Sequence, residues 1–343
     1  GAHVDYGLHA TVTAEDWSVF DEFDAVVDAG IPTFKFFTAY DIGVSNGFLR
    51  LAFERLADLG AVAVLHTEDA SVCQALTEKQ RQDGRGSPSD YPDARPDYAE
   101  AMALSDAVAL AEATECKYYG IHTSSRAAAE ELVAVQEDGS QFRGETCTHY
   151  TTLTQDAYAD QGSLALQSPP LRTSDDVDAM FQYLRDGSLG VVSTDHVAST
   201  REEKAIDDWW DCSFGVNSLQ TSLPVFHDEV INHRGYSYAF LVRVMAAAPA
   251  QTFGLPKKGR IAVGADVVFN VSATTEIYTI TADDNASRAD YSIYEGREVT
   301  GRVKQTYLRG TLVADESGVV ADRGHGEFRE REVPKWSPQE GHV

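Results

Sequence analysis

Four short apolar runs in this chain end at or next to residues that can hold a cation or move a proton. They are Thr33-Phe34-Lys35-Phe36-Phe37, Ala61-Val62-Ala63-Val64-Leu65-His66, Tyr118-Tyr119-Gly120-Ile121-His122 and Leu189-Gly190-Val191-Val192-Ser193-Thr194-Asp195. Runs of this kind are the signature of parallel strands buried on both faces. A polar residue at the carboxyl end of such a strand lies where (β/α)8 barrels carry out chemistry. One amine, two imidazoles and one carboxylate on a common rim would suit metal-dependent hydrolysis, because imidazole and carboxylate hold divalent cations that acidify water. Taken singly, each residue has an ordinary reading. Lys35 could snorkel to solvent, His66 and His122 could be satisfied core histidines, and Asp195 could cap a helix. The joint pattern is what points to a site.

The elements that must position these residues follow from the same texture. Strand signals at 4–10, 33–37, 61–66, 118–122, 144–150 and 189–195 alternate with amphipathic segments at 46–59, 98–114, 126–136, 174–185 and 237–248. Strand–helix alternation predicts an α/β fold with a parallel sheet, here six strands where a closed barrel has eight. Residues 81–97, rich in Gly, Pro, Asp and Arg, read as an irregular loop. Beyond Pro256 the helix signals cease, and 259–269 and 303–313 read as short strands of a small β-rich unit. The expected division is a barrel domain at 1–255, a β-sandwich-like domain at 256–323, and a loose polar tail at 324–343.

Composition narrows the partners. The 343 residues carry 31 Asp and 23 Glu against 20 Arg and 8 Lys, a net charge of −26. That balance disfavours nucleic acid and anionic membranes. The acids are dispersed along the chain, which fits a solvated surface adapted to high salt, where the screening length is only about 3 Å at 1 M. No apolar run reaches the roughly 18 residues of a membrane span, and no signal peptide is visible at the N-terminus. The four cysteines, Cys73, Cys116, Cys147 and Cys212, are scattered without a CxxC and read as reduced thiols, so a cytoplasmic location is expected.

The ordered motifs Phe34-Lys35-Phe36-Phe37-Thr38-Ala39-Tyr40, His66-Thr67-Glu68, His122-Thr123-Ser124, Ser168-Pro169-Pro170-Leu171-Arg172 and Ser193-Thr194-Asp195-His196 resemble those of dihydropyrimidinases and hydantoinases, cyclic amidohydrolases of the amidohydrolase superfamily. The later segments at 290–301 and 324–328 resemble the same family. The resemblance implies a TIM-type barrel and a site with two divalent metals, usually zinc, bridged by a carboxylated lysine. Lys35 matches the bridging position, His66 and His122 the imidazole ligands of one metal, and Asp195 a ligand of the other. Asp195 also matches the base that takes a proton from the nucleophile and returns it to the leaving nitrogen. Tyr40 matches the phenol that donates to the developing oxyanion. Ser168 and Asn217 match positions whose main-chain groups hold a cyclic ureide or imide. His9, His149 and His196 match no ligand position.

The resemblance therefore implies opening of a dihydropyrimidine or 5-substituted hydantoin to the N-carbamoyl amino acid. An allantoinase or dihydroorotase is the enzymatic alternative, and a metal-free scaffold protein the non-enzymatic one. It also implies a small-molecule substrate and a homotetramer. One departure stands out: the family holds its first metal with a His-x-His pair on the first barrel strand, and no such pair occurs at a matching position here. The chain opens on what resembles the third strand, about 60 residues short of a full barrel at roughly 30 per strand–helix unit. Truncation of a longer hydrolase is the expectation. The second metal is then doubtful, and these residues alone should be inactive or bind one metal at most.

Overall fold

Each apolar run that anchors the sequence argument becomes a parallel strand. The computed structural model describes residues 1–136 and 141–336. Its first sheet contains β1 (Ala10–Thr11), β2 (Thr33–Phe37), β3 (Val62–His66), β4 (Lys117–Gly120), β5 (Phe142–Cys147) and β6 (Val191–Ser193), in that order and all parallel. Sequential order with helices between neighbours is the wound pattern of a (β/α) barrel wall. Beyond β6, a parallel bridge between His196 and Val216 extends the wall.

Period-two alternation divides the strand residues between two environments. Phe34, Phe36, Ala63, Leu65, Tyr118, Phe142 and Val192 join one apolar cluster with the helices outside the sheet. Val62, Val64 and Tyr119 lie on the opposite face, covered by Phe253 and Trp336. Lys35 and His66 fall on this inner face by the same alternation, since Lys35 pairs with Val64 and Phe37 with His66. A one-residue slip of β2 would carry Lys35, and one of β3 would carry His66, into the helix layer.

The helices start where local chemistry dictates. Ser45 caps the segment Asn46–Asp58 by accepting from the Phe48 N–H. Thr173 and Asp176 form a reciprocal capping box on Ser174–Asp186, which ends at Gly187 with φ +92°. Expected helices at 98–114 and 126–136 appear as Asp97–Thr114 and Arg126–Ala134. The segment at 237–248 is a helix of uneven pitch, Tyr238–Val242 followed by wider turns at Arg243–Ala247 and then Ala248–Thr252.

Several expectations need correction. The first strand is two residues long rather than spanning 4–10, because Tyr6 bridges to Phe328 instead. The strand expected at 144–150 ends at Cys147, and Thr148–Thr152 turns into a helix. Residues 81–97 are only partly irregular: a helix continues to Asp83, and turns at Pro88–Asp90 and Tyr91–Ala94 are helical.

The β-rich second unit is an antiparallel sheet in the order β10–β9–β8–β7, from β7 (Phe269–Thr279), β8 (Glu298–Leu308), β9 (Thr311–Asp315) and β10 (Gly318–Val319). The strand expected at 259–269 is instead a run of turns, with Gly259 and Gly264 at φ +73° and +86°. The true strand begins at Phe269, where β-branched residues and a Tyr take over.

Nor is the described part of the tail loose. Asp5, half-buried, takes ion pairs from Lys258, Arg309 and Arg329, and the Tyr6 and Arg329 amides are hydrogen-bonded across the junction. Residues 337–343 of the expected tail lie outside the described residues. Among the described residues, no helix is long and apolar enough to cross a membrane.

Candidate active site

His66 ends β3, and His122 follows β4 by two residues, so both imidazoles meet at the carboxyl rim. His66 Nδ1 lies 3.0 Å from His122 Nε2, and both side chains are buried. The other His66 nitrogen, Nε2, is 2.9 Å from the Glu68 carboxylate. An ionised carboxylate only accepts, so the His66 proton sits on Nε2 and the Nδ1 lone pair faces His122. The far nitrogen of His122, Nδ1, is buried without a partner. Burial lowers the pKa of both imidazoles, favouring the neutral form that ligates cations.

This donor geometry fits a divalent cation. Two nitrogens bound tetrahedrally to zinc at about 2.0–2.1 Å stand about 3.3 Å apart, close to the spacing here. Lys35 and Asp195 lie near enough for their charges to act on His66 and on each other. Among the described residues, however, no three His, Cys, Asp or Glu side chains converge as a closed cation cage.

Lys35 is mostly buried, its Nζ 4.6 Å from the Phe37 ring centroid. Burial pulls its pKa down to about 8, against the opposing pull of Asp195 and Glu145. A sizeable neutral fraction near that pH is what addition of CO2 to an amine requires. Burial raises the Asp195 pKa, while Lys35 and His66 oppose the rise. Among the described residues, Tyr40, His122 and Asp195 account for three of the five non-glycine positions with positive φ, at +68°, +39° and +41°. Left-handed backbone costs roughly 1–3 kcal/mol at such residues and clusters at functional sites.

The group that joins these residues, Glu68, was not singled out from the sequence. One oxygen of the buried Glu68 accepts from His66 Nε2, from Arg95 Nη1 at 2.6 Å and from Ser168 Oγ at 2.8 Å, with the Tyr40 hydroxyl at 3.5 Å. Burial pushes the Glu68 carboxyl up, but Arg95 and the hydrogen bonds win and hold it at about 2. The Arg95 guanidinium also stacks on Tyr40, 5.0 Å from the ring centroid. The signal was a carboxylate two residues after a strand-end histidine, but the sequence gives no clue that Arg95 would reach it. Glu145 was missed too: it lies on the inner face of β5 and accepts from Tyr119 and Ser193, both at 2.7 Å.

Ser168 thus joins the cluster through its hydroxyl. Asn217 lies apart, its side-chain amide donating to the Tyr291 carbonyl and its Oδ1 buried without a partner. His149, which matches no ligand position, is fully buried with neither ring nitrogen bonded. His9, which also matches no ligand position, bonds Thr33 Oγ1 at 2.7 Å.

A parallel barrel wall thus carries imidazole, lysine and carboxylate side chains at its carboxyl rim, the end where barrels of this kind do their chemistry. Residues 35–313 match the amidohydrolase family, and the chain belongs to it. An allantoinase from Escherichia coli is 32% identical over 317 residues, covering 89% of this chain and 69% of the relative. Among solved structures, D-hydantoinase from Bacillus sp. AR9 superposes with a TM-score of 0.92 at 27% identity, covering 96% of this chain and 74% of that one. Dihydropyrimidinase from Brevibacillus agri gives 0.92 at 28%, covering 97% and 75%.

Proposed function

We propose that this amidohydrolase opens the ring of a cyclic ureide or imide by hydrolysing its C–N amide bond, with divalent metal at the rim. The observation that carries the reading is the facing pair of His66 Nδ1 and His122 Nε2 at 3.0 Å, with Lys35 and Asp195 on the same rim. His66 and His122 would hold one cation, and Lys35, carboxylated, would bridge to a second that Asp195 helps to hold. Such cations would polarise the scissile carbonyl and acidify the attacking water.

The chain's own groups supply the rest. Asp195 accepts the proton of the nucleophile and returns it to the leaving ring nitrogen, a role that needs a carboxylate. Tyr40, exposed at the rim, donates its hydroxyl to the carbonyl oxygen as charge develops there. Main-chain groups of Ser168 and Asn217 orient the ring. Two substrate families have support: hydantoins and dihydropyrimidines from the solved structures, and allantoin from the curated relatives.

The test is ring opening of dihydrouracil, hydantoin, allantoin and dihydroorotate by the full-length gene product, supplied with zinc and bicarbonate. Lys35→Ala should abolish turnover, and Asp195→Asn should keep the fold while losing about 10²–10⁴ in rate. Near-normal turnover by Asp195→Asn would remove that carboxylate from the mechanism.

A further inference from the structure

Segments from around the rim converge on one buried ion pair that ring opening itself does not use. Arg172 is buried, and each of its side-chain nitrogens has a partner. Nε donates to Ser124 Oγ at 3.0 Å, Nη1 to the Arg95 carbonyl at 2.6 Å and Nη2 to the Glu100 carboxylate at 3.1 Å. Glu100, buried in the first turn of the helix Asp97–Thr114, also accepts from the Ser124 N–H at 2.8 Å and the Ser124 hydroxyl at 2.6 Å. We propose that Glu100 and Arg172 are positioning residues of the rim: they fix Arg95 and Ser124, and through these the alignment of His66 with His122.

The proposal rests on the reading of the rim as a cation site and adds which residues hold its two imidazoles in register. Each partner of the pair leads by a short path to a candidate ligand. Arg95, gripped at its carbonyl by Arg172, places Nη1 2.6 Å from the Glu68 carboxylate, and the same oxygen accepts from His66 Nε2 at 2.9 Å. Ser124 follows His122 by two residues, so both its N–H and its hydroxyl anchor the loop after β4 to Glu100. Ser168, on the same stretch as Arg172, donates to that Glu68 oxygen at 2.8 Å. One main-chain bond joins the circuit, from the Asp69 N–H to the Ala99 carbonyl at 2.9 Å, tying the loop after β3 to the turn that carries Glu100.

Direction, rather than stability, is what such a pair adds. Burial strips water from both charges, so apolar side chains of the same volume often pack as stably as a buried ion pair. A planar guanidinium, however, projects its N–H groups along fixed lines, and here those lines run to three separate segments at once. A lysine ammonium is a point charge without that fork and cannot hold the three in one plane. Both oxygens of Glu100 are occupied as well, which leaves neither side chain free to adopt a second arrangement.

The experiment reads two quantities on full-length protein: zinc affinity by competitive chelator titration, and the protonation of the His66 ring by proton–nitrogen NMR of the metal-free form, assigned with His66→Ala. The parent should show the His66 proton on Nε2. In Arg172→Lys and Glu100→Gln the His66 signal should move toward a mixture of tautomers, and zinc affinity should fall roughly 3–10-fold, less than the 10–100-fold of a direct ligand partner. Combined with Glu68→Gln, Arg172→Lys should cost less than the product of the two single effects, since both act along one path. Ser124→Ala removes a single hydroxyl, so it tests the pair even if the charge variants fail to fold, and it should weaken zinc binding in the same direction. Unchanged zinc affinity and an unchanged His66 signal in the folded variants overturn the proposal. A parent that binds no zinc defeats the cation reading instead, and the ring signals of the metal-free variants still decide the positioning: a tautomer mixture supports it, and a proton held on Nε2 overturns it.

Discussion

Glu68 carries more of the site than its place in the sequence suggests. Its carboxylate ties a candidate metal ligand, His66, to Arg95 and Ser168, with Tyr40 alongside. A carboxylate partner that fixes the tautomer of a ligating histidine is worth about 10–100-fold in metal affinity. Glu68→Gln should therefore weaken zinc binding by about that factor in a competitive chelator titration, while Glu68→Ala should also destabilise the fold by roughly 3–5 kcal/mol by stranding the buried Arg95 charge. Unchanged zinc affinity in Glu68→Gln would show that the carboxylate does not orient His66. At this scale the sequence revealed the groups that end strands, because burial marks strands by composition. It hid those that act from loops: Arg95 reaches Glu68 across 27 residues with no periodicity to announce it.

At the level of elements, the clasp around Asp5 joins the start of the chain to the second unit. Burial pushes the Asp5 carboxyl up, but hydrogen bonds from Lys258, Arg309, Arg329 and the Glu327 N–H pull harder, leaving it well below the usual carboxylate range. A carboxyl depressed in the folded state stabilises fully above its unfolded pKa of about 3.9 and loses that contribution as pH falls below it. Asp5→Asn should cost roughly 2–3 kcal/mol at pH 7, somewhat less than a deeply buried pair because its partners are partly exposed. The variant should also lose less stability than the parent between about pH 4 and 2, as urea melts at each pH would reveal. Equal acid sensitivity in both proteins would exclude Asp5 as the cause. The strands and long helices were legible because their patterns are local. The clasp, the short β1 and the exposed β7 were not, since each is set by partners far away in sequence.

For the molecule as a whole, the net charge of −26 puts self-repulsion against the fold. Raising salt from about 0.1 M to above 1 M shortens the screening length from about 10 to 3 Å, so Tm should climb over that range. A flat or falling Tm would contradict the high-salt reading. Six parallel strands in sequential order agree with the parallel α/β layout expected from alternation, the antiparallel second sheet with the β-rich unit expected beyond Pro256, and the amidohydrolase match with the barrel that the family resemblance implied. The central claim is that this barrel rim holds a divalent cation between His66 and His122. Zinc stoichiometry and affinity, measured on chelator-stripped protein and on the double variant His66→Ala/His122→Ala, test it directly. Tight zinc binding that disappears in a variant with an unchanged circular dichroism spectrum is the predicted result. Zinc retained with the same affinity by the double variant, or none held by the parent, would contradict it.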